Sequence, residues 1–484
     1  MTNWNAKVEQ YFSVLLATIS FGILCWIPSQ GKWSKSSHLS AITTGIVLFS
    51  LIQYENWLWG FQIAWFWINT CLVLAIALLV HPSEEKTPID RGFVLAALCC
   101  GLASFSSAHG LLVWLAVFPS VWVKSQNFRY PRLQKIVWFG LFFGSTLLYA
   151  SDYRESTSVA DRAYILKHPL EGFKFFFALI GRSISQEVSE AIVWGIIVSI
   201  ACVGCLWLLY RDRERRASIS PWVSLMLFPL AFAAITTIGR ASLGVGAGLA
   251  SRYTTVSLLS IVALIQVGQC YAKSCNPMFR FSYRSIVSLL AVFMIVTSLS
   301  SWEKGRAFRD YRLIGQTCLS LSEYMENSES SCLRRIFPDV YIIKQWSKKL
   351  DRLGFFGFVK DAKFAENPQT SCGSIDISNS PRTARLSDEE RITLSGNVRL
   401  DACAGVLPIV FVSENARNEM LTGNAIQDFG RQQRSQEAWT IDIVARDLEI
   451  GETAIRAWVY NPERSTFIPL DNIFEVRVAE EEKN

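Results

Sequence analysis

Charge is scarce in this sequence: Asp, Glu, Lys and Arg make up 18% of its 484 residues, against 51% hydrophobic. A water-soluble domain carries nearer a quarter charged residues, so that class is excluded. Histidine is scarcer still, with four in the chain. No Walker phosphate loop, HExxH, GxSxG or paired CxxC set occurs. That leaves no support for a nucleotide-cradling, zinc-hydrolase or nucleophile-elbow mechanism of a soluble enzyme. A cleavable leader is not expected either, because the run from Tyr11 to Ile27 is about as long as a span and Pro28-Ser-Gln-Gly lacks the small-x-small pattern. The net charge of +6 does not point to nucleic acid, since the basic residues of residues 1–300 lie in short clusters between apolar runs.

What is present in quantity is long apolar sequence. Runs over 11–27, 39–54, 57–80, 92–123, 136–150, 189–210, 221–239, 253–272 and 285–300 are candidates to cross a bilayer, which takes roughly 20 residues as helix. The run 92–123 is too long for one crossing unless strongly tilted and is interrupted by Ser104-Phe-Ser-Ser-Ala-His-Gly110, so a hairpin of two short helices is preferred to one long tilted helix, which would put Glu55 in the cytoplasm and Lys32 and Lys35 outside. The basic clusters Lys124/Arg129/Arg132/Lys135, Arg211/Arg213/Arg215/Arg216 and Lys273/Arg280/Arg284 should all face the cytoplasm. The expected topology is therefore ten spans with both termini outside. The expected organisation is a membrane domain over 1–300, a helical extracytoplasmic connector over 301–370 and a small β-sandwich-like domain over 371–484.

In the last of these, segments 374–377, 392–398, 407–412, 439–445, 454–460 and 474–479 alternate or are β-rich, with turn residues between them. The connector carries an amphipathic helical pattern from Val340 to Leu353. Four of the twelve cysteines, Cys318, Cys332, Cys372 and Cys403, fall in the tail. An even number there suits disulfides in an oxidising compartment, expected as 318 with 332 and 372 with 403. The Cys202-x-x-Cys205 pair lies within an apolar span and is read as core packing.

This topology gathers unusual polar groups on the outer side: Glu55, Asn56 and Gln62 in QYENWLWGFQ; His109 in SSAHG; Asp152, Arg154 and Glu155 in SDYRES; Arg240 and Arg252 in GRASLGVGAGLASRYTT. Ionisable groups at membrane depth are costly, which makes them site candidates where they face protein. Plainer readings stand beside this one. Trp57, Trp59, Trp65 and Trp67 suit an aromatic belt, His109 suits a hinge hydrogen-bonder, and SDYRES suits a solvated loop. The two arginines around a glycine-rich loop suit either a plain turn or a phosphate site.

The motifs QYENWLWGFQ, SSAHGLLVW, HPLEGFKFFFALIG and GRASLGVGAGLASRYTTVSLL together resemble a bacterial family of polytopic C-type (GT-C) glycosyltransferases, over most of residues 40–300. The resemblance implies transfer of a sugar from a polyprenyl-phosphate carrier to a glycan or lipid acceptor at the outer face of the cytoplasmic membrane. It implies Glu55 as base or acceptor-binding carboxylate, with Asp152 as a second catalytic candidate. Arg240 and Arg252 would hold phosphate, Tyr253 and Gln62 would position the sugar, and Asn56, Trp59 and His109 would line the site. No resident cofactor follows, and a divalent cation stays open; the implied partners are membrane lipids, the lipid-linked sugar and its acceptor, with no nucleic acid. Family enzymes usually carry the catalytic acid in a long loop after the first span, whereas here only MTNWNAKVEQ, with Glu9 as its one acid, precedes the first span. The chain is thus expected to lack the usual first span and catalytic loop. Two other readings remain: a lipid- or glycan-binding membrane protein without turnover, and a transporter of a glycan or lipid-linked substrate.

Overall fold

A computed structural model of the chain describes residues 6–29, 35–81, 89–126, 130–151, 161, 163–325, 332–337, 339–365, 371–377, 382–385, 391–399, 403, 409–414, 420–425 and 437–479. The chain divides into two compact units, Asn5–Gly305 and one made mainly of Arg306–Asn484.

The first unit is all helical: α1 (Ala6–Ser29), α2 (Lys35–Leu48), α3 (Tyr54–Leu58), α4 (Ile63–Val80), α5 (Arg91–Ser104), α6 (Leu112–Ser125), α7 (Pro131–Ser151), α8 (Tyr164–Lys167), α9 (Pro169–Gly181), α10 (Val188–Arg211), α11 (Arg216–Arg240), α12 (Ser251–Ser274) and α13 (Pro277–Ser320), which continues past the unit boundary. Among the described residues, eight helices are long and apolar enough to cross a membrane. The expected ten spans correspond to these eight plus α2 and α5, which hold 14 residues each. At 1.5 Å per residue each of these two rises about 21 Å, short of the ~30 Å hydrocarbon thickness.

Both short helices give way to irregular backbone. The expected run 39–54 stops at Leu48, and Ser50 caps a 3₁₀ turn at Leu51–Gln53, its hydroxyl accepting from the Ile52 amide at 3.3 Å. The turn leads into α3 and a second 3₁₀ turn, Gly60–Gln62. Non-helical backbone at such depth is tolerated when protein buries it, and Ile52, Gln53, Asn56, Gly60 and Gln62 are indeed buried. The 92–123 run is a hairpin as expected: α5 and α6 are joined through a 3₁₀ turn at Ala108–Leu111. Trp114 Nε1 donates across it to Ser104 Oγ at 3.0 Å. A side chain on Gly110 would run into the Ala103 carbonyl.

The helices alternate so that two polar ends form. At one, Lys273 Nζ donates to the Pro28 carbonyl (2.8 Å), Tyr271 OH to Asp212 (3.1 Å) and Arg216 Nη1 to Gln126 (3.4 Å). The same end holds a buried ion pair, Lys124 Nζ to Asp90 Oδ2 at 2.8 Å. The basic sequence clusters thus meet at one end, and QYENWLWGFQ, SSAHG and residues 240–252 lie at the other. Between the ends runs an apolar core centred on α4, α6, α11 and α12, with Leu72, Val117, Trp222, Phe228 and Val262 fully enclosed. Buried Cys202 and Cys205 belong to this core, as expected.

Among its described residues the second unit contains helix α14 (Val340–Arg352), matching the amphipathic pattern, and ten strands. The strands are β1 (Lys363–Phe364), β2 (Gly373–Asp376), β3 (Thr383–Arg385), β4 (Arg391–Val398), β5 (Ile409–Glu414), β6 (Met420–Ala425), β7 (Glu437–Val444), β8 (Gly451–Asn461), β9 (Thr466–Pro469) and β10 (Phe474–Ala479). β2-β4-β7 form one antiparallel sheet; the other runs β1-β9-β8-β10-β3, with β5 also on β8 and β6 on β5. Period-two alternation explains the layering. Val410, Val412, Ala457 and Val459 face Ile392, Leu394, Trp439 and Ile441 of the small sheet. Their neighbours Phe411, Trp458 and Tyr460 face the other way, onto Cys318, Leu321 and Leu333. All six expected strands are present; β1, β3, β6 and β9 are additional. The disulfides are Cys318–Cys332 and Cys372–Cys403, as expected.

Candidate functional site

The site is built where α12 begins beneath the turns that follow α2. Ser251 Oγ donates to the Ile52 carbonyl at 2.9 Å, which fixes the start of α12 against residues 51–55. Asn56, fully buried, donates through Nδ2 to the Arg252 carbonyl at 2.8 Å and to Thr255 Oγ1. Thr255 in turn donates to Gln53 Oε1, and Asn69 Nδ2 reaches the Thr255 carbonyl at 3.3 Å. This net of amides and hydroxyls locks α3, so that Glu55 projects beside Arg252. Glu55 Oε2 lies 3.6 Å from Arg252 Nη1, with the carboxylate side chain 14% exposed and the guanidinium side chain 42%. Tyr253, buried, sits under the Arg252 guanidinium at 5.4 Å and edge-on to Phe232 at 6.0 Å.

Arg182 is the group that sequence reasoning missed. It follows α9 directly, is 3% exposed, and donates through Nε to the Leu249 carbonyl at 2.7 Å and through Nη2 to the Ile52 carbonyl at 3.4 Å. Nη1 is buried without a hydrogen-bond partner, and no carboxylate among the described residues lies within ion-pair distance of it. Burial pulls the guanidinium down to about 10, against the opposing pull of Tyr54 and Glu55. The Tyr54 phenol is pushed up, first by burial and then by the Glu55 charge, with Arg182 acting the other way. The charges of Glu55 and Arg182 thus both act on Tyr54, in opposite directions. The one hint in the sequence was position: the motif HPLEGFKFFFALIG ends at the residue before Arg182.

Glu9 is a second addition. The start of α1 lies against the QYENWLWGFQ segment, with Gln10 Nε2 donating to the Leu58 carbonyl at 2.7 Å. The Glu9 carboxylate occupies the space that a side chain on Gly60 would take. The acid of MTNWNAKVEQ thus comes within five positions of Glu55 along the partner segment.

The other expected residues divide. His109 belongs to an adjoining aromatic patch, its ring 4.6 Å from Phe232 and 5.3 Å from Trp65, with Nε2 3.3 Å from Thr236 Oγ1; this suits a hinge hydrogen-bonder. Phe232 joins that patch to Tyr253. Gln62 is buried and accepts from Trp65 Nε1, so its amide oxygen is engaged. Trp59 is exposed and tilted against Phe61 at 6.1 Å. The other three tryptophans are half-buried, each with a face on protein. Trp57 lies tilted against Phe66 at 4.7 Å, Trp65 meets Phe232 edge-on at 5.2 Å, and Trp67 packs against the core from α4.

The two loop arginines also part. Arg240 is exposed at the end of α11 with its charge near His109, whereas Arg252 pairs with Glu55. Between them, Ala241–Leu243 and Val245–Leu249 form 3₁₀ turns about Gly244, whose φ of +87° suits glycine. Arg182 and Phe175 hold the second turn from below, so much of the loop is a packed strap. Asp152, Arg154 and Glu155 lie outside the described residues. Among the described residues, no three His, Cys, Asp or Glu side chains are grouped to hold a metal ion, and the cations at the site are guanidinium groups.

Apolar helices of crossing length, with charged groups collected where shorter helices break, define a multi-pass membrane protein. No family model, curated protein or solved structure matches the chain.

Proposed function

We propose that the chain is a membrane glycosyltransferase of the C-type (GT-C) kind in the bacterial cytoplasmic membrane, moving a sugar from a polyprenyl-phosphate carrier to a glycan or lipid acceptor. The observation that carries this reading is the Glu55–Arg252 pair close to buried Arg182, which has no carboxylate within ion-pair distance among the described residues. One carboxylate and two guanidinium groups match the needs of inverting transfer from a phosphate leaving group. Sidedness follows from the basic clusters at the other end, which belong in the cytoplasm; the site and the C-terminal unit then face outward.

In the proposed reaction the acceptor hydroxyl oxygen attacks the anomeric carbon. The bond from that carbon to the phosphate oxygen breaks, its electron pair leaves with the polyprenyl phosphate, and the hydroxyl proton passes to Glu55. Arg252 and Arg182 stabilise the departing dianion. At 3.6 Å the Glu55–Arg252 contact is longer than a hydrogen bond, so Arg252 is able to turn to phosphate and release the carboxylate. Tyr253 and Trp59 offer faces for the sugar.

The test is turnover of labelled polyprenyl-phosphate hexoses and pentoses by the chain in nanodiscs, with membrane glycans as acceptors. Glu55→Gln is expected to lower product formation by about 10²–10⁴-fold, the usual worth of a general base, and Arg252→Ala to abolish labelling. Unchanged turnover in both refutes the assignment. A second reading, retention of a lipid or glycan without turnover, is favoured by the fact that Arg252 neutralises Glu55 in the resting arrangement. Donor lipid bound by the parent chain with no product formed would select it.

A further inference from the structure

Helix α14 in the second unit leaves an apolar strip uncovered. Its inner face packs on its own unit through Ile343, 8% exposed, and Ser347. Ile342, Trp346 and Leu353 are 40%, 54% and 59% exposed, and at 100° per residue they share an arc of about 40°. Phe337 precedes the helix and Phe355 follows it, both exposed. The strip is bordered by cations. Residues 340–352 hold Lys344, Lys348, Lys349 and Arg352 against Asp351, four minus one, or +3; of these Lys344 faces away from the strip, its Nζ donating to the Met325 carbonyl. Lys360 lies 3.7 Å from Asp351 and offsets even that acid. Lys349 Nζ stands 4.8 Å from the Trp346 ring centre.

We propose that this strip docks on an anionic lipid bilayer surface, with Ile342, Trp346 and Leu353 entering the boundary between headgroups and acyl chains. Lys348, Lys349 and Arg352 then reach the lipid phosphates. A helix with an apolar stripe, an indole and flanking lysines is the pattern of an interfacial segment, and the long basic stems let the charges stay at headgroup level while the stripe is buried. A protein partner would be a weaker match, because the cores of protein interfaces are depleted in lysine. The strip is also covalently confined to one membrane, because α13 carries the expected crossing 285–300 in the same chain. That linkage raises the effective concentration, so a weak surface affinity suffices. The inference is independent of the glycosyltransferase reading.

The test uses the full chain in nanodiscs of phosphatidylcholine alone, or mixed with phosphatidylglycerol. An environment-sensitive fluorescent amino acid is placed at exposed Ile342 and, as the control, at Gln345 on the polar side. Both positions lie outside the core, so the fold is not at stake. The expected result is blue-shifted emission at 342 that acyl-brominated lipid quenches, with little quenching at 345. Quenching should increase with phosphatidylglycerol, and Lys349→Gln should lower the docked-to-undocked ratio about fivefold, the worth of one basic charge at such a surface. No quenching at 342 in either bilayer overturns the proposal. A blue shift without lipid quenching also overturns it, since the strip is then covered by protein. Quenching that ignores phosphatidylglycerol and Lys349→Gln overturns the assignment to anionic lipid.

Discussion

Replacing Arg182 with methionine separates a structural arginine from a ligand-holding one. The substitution keeps most of the side-chain volume and removes one well-formed hydrogen bond, from Nε to the Leu249 carbonyl at 2.7 Å. The Ile52 carbonyl loses a longer contact, at 3.4 Å, but keeps Ser251 Oγ at 2.9 Å. Orphaning one buried carbonyl and losing a charge-assisted bond costs about 1.5–3 kcal/mol. Against this, lowering the guanidinium from its ordinary 12.5 to about 10 corresponds to about 3 kcal/mol held against the charged form by burial, and methionine relieves it. The two nearly cancel, so Arg182→Met should unfold within about 1.5 kcal/mol of the parent. The usual loss on breaking a buried ion pair, about 3–5 kcal/mol, does not apply, because among the described residues Arg182 has no ion-paired carboxylate to strand. Stability is read from dodecyl sulfate titration in mixed micelles by tryptophan fluorescence, and affinity from binding of labelled polyprenyl phosphate. The expected outcome is near-parental stability with binding weakened about 10- to 100-fold. A loss above about 3 kcal/mol with binding intact would refute the reasoning and make Arg182 a strut for the 241–250 loop.

Lys124→Met should cost about 3–5 kcal/mol by leaving Asp90 charged and buried; adding Asp90→Asn, which keeps the cap on Phe93, should recover most of it in a double-mutant cycle. Gly110→Ala should destabilise by about 3 kcal/mol because the new methyl meets rigid backbone at Ala103, whereas Gly60→Ala should cost about 1 kcal/mol by pushing aside the flexible Glu9 carboxylate. Equal losses in the same unfolding assay would contradict this contrast. The Asp212 carboxyl is held below its ordinary value, first by its hydrogen bond from Arg215. Its stabilisation is therefore present at neutral pH and is lost as pH falls through that lowered value. Asp212→Asn should narrow its gap from the parent below the usual carboxylate range, and a gap constant with pH would count against the pairing.

Much of the architecture was legible before any coordinate. Run lengths and basic clusters marked the spans and their two ends, the polar interruption at 104–110 marked the hairpin, and period-two alternation marked six strands. These are local properties, since burial of one face imposes its period on the sequence itself. Even so, local hydropathy misjudged where α2 stops. Ser50 and the amides after it look like the end of a span, and much of their cost at depth is met by partners distant in sequence, Ser251 and Thr255 of α12, Ser298 of α13 and Arg182.

The site was legible in its parts and not in its assembly. Glu55, Asn56 and Arg252 stood out as polar residues among apolar runs, but Asn56 meets Arg252 across 196 positions. Arg182 reaches Leu249 across 67 and Ile52 across 130. No periodicity encodes such meetings; they follow from which helices pack side by side. By itself, then, the sequence determined a multi-pass chain with a strand-rich tail, because the bilayer and the sheet each demand a repeating pattern. Tertiary structure alone decided that Arg182 sits buried near Glu55 with no carboxylate in ion-pair distance among the described residues, because its hydrogen-bond partners are carbonyls distant along the chain.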